Sequence, residues 1–248
     1  MDITEIKDKA LLYNATLNKI KLSLAPQSFW YPYGALNNFI HLNKLLTGSN
    51  RHLLDVIGKK TVVDIGSADG DLAFFMESLG LKVDIIDHAH TNYNHLEGAH
   101  LLRKDLKSSL EIYDIDLDSQ FSLPQKEYGL IFFLGILYHL KNPFYILENL
   151  SKHSSYCLIS TRVARLCPNK QVNFSTVPVA YLLDSYECNN DPTNFWIFSD
   201  AGLRRILQRT GWEICDYITV GNTTDSDPAT PQGDERAFCL VKSSTFTP

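Results

Sequence analysis

Cysteine is sparse in this 248-residue chain: five residues, at 157, 167, 188, 215 and 239, and none in a C-x-x-C pair. An odd, scattered set excludes a disulfide framework and a cysteine-based zinc site, and fits reduced thiols. Long apolar runs are missing too. The longest, residues 130–138 (LIFFLGILY), falls far short of the ~20 residues needed to cross a bilayer. The first residues, MDITEIKDKALLYNATL, are charged and amphipathic and lack the apolar centre of a signal peptide. Positive charge is not in excess, since 23 Lys and Arg face 28 Asp and Glu for a net charge of −5. A phosphate backbone is therefore disfavoured as the main partner. No cluster of His, Cys and Asp has metal-ligand spacing, so no metal is expected. A cytoplasmic protein with no membrane partner is the expectation, and the sequence leaves its oligomeric state open.

What is present is alternation. Residues 3–22 carry apolar side chains at helical spacing, and residues 29–34 (FWYPYG) then stop the helix at Pro32. A second helix is expected over 37–46. From residue 60 short buried strands alternate with helices: TVVDI (61–65), a helix from 71 to 79, KVDII (82–86), a helix over 91–109, EIYDIDL (111–117) and YGLIFFL (128–134). A helix opening at Pro143 and YCLIST (156–161) follow. After a polar, aromatic stretch at 163–198 come a helix from 200 to 209 and two strands, 212–220 and 236–242, joined by a polar loop too short for a helix. The pattern predicts an α/β fold with a doubly wound, seven-stranded, mostly parallel sheet and a C-terminal antiparallel hairpin. An N-terminal helical and aromatic extension over 1–57 precedes a domain over 58–248, with a cap insertion at about 163–198.

In such sheets ligands bind outside the carboxyl ends of the strands. The first strand runs into Asp64-Ile65-Gly66-Ser67-Ala68-Asp69-Gly70-Asp71, where small residues let backbone approach a ligand closely. A dinucleotide fingerprint would put its third glycine at 71, and a carboxylate there opposes pyrophosphate binding at a helix N-terminus. The acidic turn suits instead a ligand bearing an ammonium and a sulfonium. Asp87, about 20 residues beyond Gly66 and followed by His88, is placed for ribose hydroxyls. Asp116 and Leu117 are placed for an adenine amino group and ring.

VVDIGSADGD, the Asp closing the second strand and FFLGILYHLKNPFYILENL together resemble the class I S-adenosylmethionine methyltransferases. Within them they resemble the branch that includes the bacterial tRNA wobble-uridine carboxymethyltransferase. The resemblance spans roughly residues 28–242 and includes Trp30-Tyr31-Pro32, the L-G-x-L-Y-H turn and Asn194-Phe195-Trp196-Ile197. It implies the Rossmann-like methyltransferase fold and S-adenosyl-L-methionine as cofactor. It implies nucleoside roles for Gly66, Asp87 and Asp116, and puts Leu134 and Tyr138 beside the methionyl end. The carboxymethyl-transferring branch adds a Lys after its W-x-P element and a Trp and Lys before the first strand. Here the segment reads YPYGAL and residues 37–54 contain no Trp, with Arg236 the one nameable counterpart.

The expected cofactor residues are thus Asp64, Gly66, Ser67, Ala68, Gly70, Asp87, His88, Asp116, Leu117, Leu134 and Tyr138. His139 and Tyr138 are the catalytic candidates, His139 as a general base; a histidine at such a junction can equally serve only to bind backbone. Trp30, Tyr31, Tyr33, Trp196 and Arg236 are the acceptor candidates. The expected reaction is methyl transfer to a small-molecule acceptor. The alternatives are carboxymethyl or methyl transfer to a tRNA wobble uridine, a nicotinamide-dependent oxidoreductase, and a nucleoside-binding protein without catalysis.

Overall fold

The computed structural model describes residues 1–246, which form two compact units divided between Phe132 and Phe133. The first opens with α1 (Ile3–Leu24), capped by the Asp2 carboxylate, which accepts from the Thr4 amide at 2.8 Å. Its buried stripe runs Ile3, Ile6, Ala10, Leu17 and Lys21, the three-to-four spacing of one helix face. A Pro-rich turn leads to α2 (Asn38–Leu45) and α3 (Leu53–Ile57). Trp30, 1% exposed, sits in this interior and donates its indole N–H to the Lys21 carbonyl at 3.0 Å. Burial of a side chain that size contributes about 2–3 kcal/mol.

The rest of the first unit alternates β1 (Val62–Ile65), α4 (Asp71–Ser78), β2 (Val83–Asp87), α5 (Glu97–Asp105) and β3 (Glu111–Asp114), and closes on the first three residues of β4 (Leu130–Leu134). The strands lie in the order β3-β2-β1-β4, all parallel, with Val62 opposite both Val83 and Leu130. β1 is buried along its whole length, and β2 and β4 at all but their last residues, as strands covered on both faces must be. Two expected elements are shorter than predicted. The helix predicted from 91 begins at Glu97 because His95 and Leu96 have positive φ (57° and 68°). The Asn92 side chain there takes the amides of Asn94 and Leu96, in competition with helical bonding. The third strand stops at Asp114 because the Asp116 carboxylate accepts from the Asp118 amide at 2.9 Å and turns the chain.

The second unit holds α6 (Pro143–Ser151), β5 (Tyr156–Ala164), β6 (Ala180–Leu182), α7 (Glu187–Asn190), β7 (Trp196–Ser199), α8 (Asp200–Arg209), β8 (Trp212–Gly221) and β9 (Glu235–Ser243). α7 is a single irregular turn, with Cys188 and Asn189 in the left-handed region. β8 and β9 pair antiparallel as expected, with a register shift between Ile214 and Asp216, and β9 pairs antiparallel with β5. The segment 163–198 is more regular than predicted. It supplies β6 and β7, and β7 pairs parallel with the end of β5, so the described residues hold nine strands in place of seven. No helix among the described residues is long and apolar enough to cross a membrane.

Candidate active site

The turn that follows β1 shows why small residues stand there. Gly66, Ala68 and Gly70 all have positive φ (74°, 53° and 83°), a region that costs an L-residue about 1–2 kcal/mol and glycine nothing. Ala68 bears that strain in place of a glycine. A Cβ on Gly70 would lie 2.7 Å from Ile85 Cδ1 and 3.0 Å from Phe74 Cε2, so close helix–sheet packing also reserves this position for glycine.

Two buried polar atoms flank the turn without a hydrogen-bond partner among the described residues: Asp64 Oδ2 and Ser67 Oγ. Both residues are 4% exposed. Burial, with the Asp87 charge adding to it, pushes the Asp64 carboxyl up to about 8. Buried polar atoms are nearly always satisfied, so this pair is what a ligand's donors would complete.

Asp69 and Asp71 behave differently. Lys21 Nζ lies 2.9 Å from Asp69 Oδ2 and 2.7 Å from Asp71 Oδ1, and all three residues are buried. Asp69 Oδ2 also accepts the Tyr31 amide at 2.9 Å, and Oδ1 accepts Asn94 Nδ2 at 2.7 Å. Asp69 therefore serves the fold, and its oxygens are already taken. Asp71 is charge-paired, so the electrostatic argument against a pyrophosphate at α4 loses its force.

At the end of β2, Asp87 Oδ2 accepts from the Ala68 amide and from Asn92 Nδ2, each at 3.0 Å, while Oδ1 accepts from the His88 amide at 2.8 Å. Burial raises this carboxyl and the hydrogen bonds partly offset it. With three of about four acceptor sites filled, one site remains for a hydroxyl donor. His88 Nδ1 lies 3.4 Å from Thr91 Oγ1. Asp116 spends its side chain on the Asp118 amide beyond the strand, and Leu117 is buried.

Of the acceptor candidates in this unit, Trp30 lies in the interior and cannot meet an acceptor, whereas Tyr31 and Tyr33 stack edge-on at 5.4 Å. Tyr93, which the sequence reading did not single out, joins them 6.0 Å from Tyr31. Tyr33 and Tyr93 are largely exposed.

In the second unit, β4 ends at Leu134, and Gly135 donates its amide to the Ser160 carbonyl at 2.8 Å. A 3-10 turn over Leu137–His139 follows. Tyr138 Oη lies 3.5 Å from Arg236 Nη1, whose guanidinium stands 5.6 Å from the same ring. His139 Nδ1 lies 3.1 Å from the Thr193 carbonyl oxygen. A carbonyl only accepts, so Nδ1 carries the proton and Nε2 the lone pair. Burial lowers the His139 pKa below its ordinary value, and Arg236 adds to the effect. Trp196 donates its indole N–H to the Lys141 carbonyl at 3.3 Å and lines an open groove of about 500 Å³ whose walls include Phe144 and Phe198 but neither Tyr138 nor Arg236.

Sequence reasoning missed Lys21, Asn92 and Asn94. The signal for Lys21 was present: it continues the apolar stripe of α1, where a cation needs a buried partner. The two asparagines carried no comparable signal, because their role depends on a left-handed bend. Among the described residues no group of three His, Cys, Asp or Glu side chains could hold a metal ion.

No curated protein matches the chain in sequence. Solved structures share its fold at low identity. The N-terminal domain of EvdMO1 with S-adenosylhomocysteine bound superposes with a TM-score of 0.57 at 14% identity, over 98% of this chain and 97% of that one. The Burkholderia thailandensis 1,6-didemethyltoxoflavin-N1-methyltransferase, with bound 1,6-didemethyltoxoflavin and S-adenosylhomocysteine, gives a TM-score of 0.51 at 15% identity, over 78% of this chain and 74% of that one. The [4+2]-cyclase SpnF gives 0.54 at 13%, over 77% and 80%. At these identities the likeness establishes the Rossmann-like methyltransferase fold and nothing finer. The family comparison goes further, because a methyltransferase-domain model matches residues 38–217. The chain belongs to the methyltransferase-domain family and is an S-adenosylmethionine-dependent methyltransferase.

Proposed function

We propose that the cofactor is held by the turn at 66–70 together with Asp64, Ser67, Asp87 and His88, and that its methyl group passes to a small-molecule acceptor. The observation that carries this reading is the pair of buried, unpartnered atoms, Asp64 Oδ2 and Ser67 Oγ, beside a turn of left-handed residues. A raised carboxyl at Asp64 suits a cationic ligand, which would favour its charged form. Asp87 has one acceptor site left for a ribose hydroxyl, and Leu117 offers an apolar surface to the base. Leu134 and Tyr138 are assigned to the methionyl end on the strength of the family resemblance. The cofactor supplies an electrophilic methyl on a sulfonium. The chain's own contribution is to position, to exclude water and to take a proton.

His139 is assigned as the proton acceptor. Its Nδ1–H is fixed on Thr193, its Nε2 keeps a lone pair, and its lowered pKa keeps the ring neutral at pH 7. Tyr31, Tyr33 and Tyr93 offer an aromatic surface for a flat acceptor. A small molecule fits the net charge of −5, and two fold neighbours were solved with bound 1,6-didemethyltoxoflavin and in the presence of D-fucose. The proposed domain division follows: a helical and aromatic extension over 1–57, and a methyltransferase domain over 58–248 with a cap insertion at about 163–198. Calorimetric titration with S-adenosylhomocysteine tests the site, since Asp64→Asn and Ser67→Ala should both weaken binding; unchanged affinity in both would remove the turn from it.

Wobble-uridine chemistry remains the second reading, favoured by Arg236 beside Tyr138. A carboxylated cofactor brings a charge that must be paired when buried. Ordinary S-adenosylmethionine should bind at least as tightly as the carboxylated form. A clear preference for the carboxylated form, lost in Arg236→Leu, would reverse the order of the two readings.

A further inference from the structure

The first unit contains a buried ionic cluster that no step above uses. Lys21 is the last residue of α1's buried stripe, at 5% exposure, and its ammonium bridges two carboxylates on either side of Gly70. The cluster is bound further. Asp69 holds the Tyr31 amide, Asn94 Nδ2 reaches both Asp69 and the Phe29 carbonyl, and the indole of Trp30 donates to the Lys21 carbonyl. A single carboxylate thus ties together helix α1, the aromatic segment 29–31 and the stretch that follows β2. Each of those ties ends on the turn carrying Gly66, Ala68 and Gly70.

From this geometry we infer that Lys21 is a positioning residue for cofactor binding, coupling the docked state of residues 3–31 to the shape of the turn at 66–71. Lys21 contacts the turn's carboxylates and acts on the ligand only through them. The turn holds Ala68 in the left-handed region between two left-handed glycines, so its shape is strained at that one residue. Its two flanking carboxylates would repel each other if buried without a cation. With Lys21 in place, repulsion becomes attraction at both, and the turn is fixed from below. Without it, two buried carboxylates stand on either side of Gly70 with no cation between them, and their separation shifts the turn. A displacement on the order of 1 Å in a ligand-holding element can cost up to about a hundredfold. The N-terminal segment should accordingly dock more firmly when the cofactor is bound, since the coupling is reciprocal.

The inference rests on the cofactor reading above, and the experiment separates the two. Affinity for S-adenosylhomocysteine is measured by calorimetry on the wild type, Lys21→Met, Lys21→Arg, Leu17→Ala and Asp87→Ala, with thermal midpoints alongside. Leu17 is buried on the same helix, 1% exposed, and has no part in the ionic cluster. Lys21→Met should weaken binding about tenfold or more, Lys21→Arg should recover part of it, and Leu17→Ala should lower the midpoint while staying within about twofold of wild-type affinity. Wild-type affinity in Lys21→Met would overturn the inference, and so would an equal loss in Leu17→Ala. An unchanged affinity in Asp87→Ala would instead sink the cofactor reading itself. Hydrogen exchange on the wild type needs no substitution. Added S-adenosylhomocysteine should slow exchange at the Tyr31 amide together with those of Ala68 and Gly70, and protection confined to 68 and 70 would refute the coupling.

Discussion

Replacing Asp64 by Asn should flatten the pH dependence of stability and abolish proton release on cofactor binding. The unfolded carboxyl loses its proton near 3.8, whereas burial in β1 keeps the folded one protonated up to about 8. The folded state therefore binds more protons than the unfolded state across that window. The stabilisation from this group is complete below about pH 4 and is lost as the pH rises to about 8. At about 1.4 kcal/mol per pH unit, the whole effect is on the order of 5 kcal/mol. Asp64→Asn keeps the shape and removes the titration, so its stability should rise relative to wild type by about 2–3 kcal/mol between pH 5 and 7. Urea unfolding of both proteins at pH 5, 6 and 7 reads this difference directly, free of the other titrating groups they share. A cation bound beside Asp64 favours its charged form, so wild-type binding at pH 7 should release close to one proton. The apparent binding heat should then differ between phosphate and Tris, and Asp64→Asn should lose that difference. Parallel stability profiles, or buffer-independent heats in the wild type, would refute the reasoning.

Asp87→Ala should weaken S-adenosylhomocysteine binding by roughly 1–3 kcal/mol, because it leaves ribose donors and the Ala68 amide unpaired; an unchanged calorimetric Kd would take Asp87 out of the site. Ala68→Gly should relieve left-handed strain at φ 53° and raise stability by about 0.5–1 kcal/mol in denaturant melts, and a loss of stability would mean that the turn is unstrained. Once an acceptor is known, the acid limb of kcat/KM should fall below His139's ordinary value of 6.5, since burial lowers it. His139→Asn should then cost about 10²–10⁴ in rate, and near-wild-type turnover would reduce His139 to a backbone anchor.

The parallel half of the fold was legible because its strands are buried on both faces and read as short apolar runs between helix-period segments. The C-terminal hairpin was legible from loop length alone. β6 and β7 were not, because Ala180–Leu182 is three residues long and half exposed, and both lie in a segment whose prolines and polar residues suggest irregular chain. The glycine turn and Asp87 stood out by spacing, but the sequence could not show which carboxylates were already engaged. Asp69 and Asp71 look like ligand-facing charges until Lys21, some fifty residues upstream, is brought against them. Trp30 looked like an acceptor wall for a similar reason, since an aromatic side chain reads alike whether it lines a cleft or fills a core.

Strands that pair on one side only invite another chain to add to them, and among the described residues β3, β6 and β8 are three such strands. Each is blunted in its own way. β3 is four residues long and ends in the exposed carboxylates of Glu111 and Asp114, β6 is too short to template a partner, and β8 loses its register between Ile214 and Asp216. A register shift of this kind interrupts the regular ladder of a ten-residue strand that would otherwise offer a long edge to a partner. Deleting Cys215 to restore the register should leave the hairpin paired and make the protein aggregate sooner on concentration.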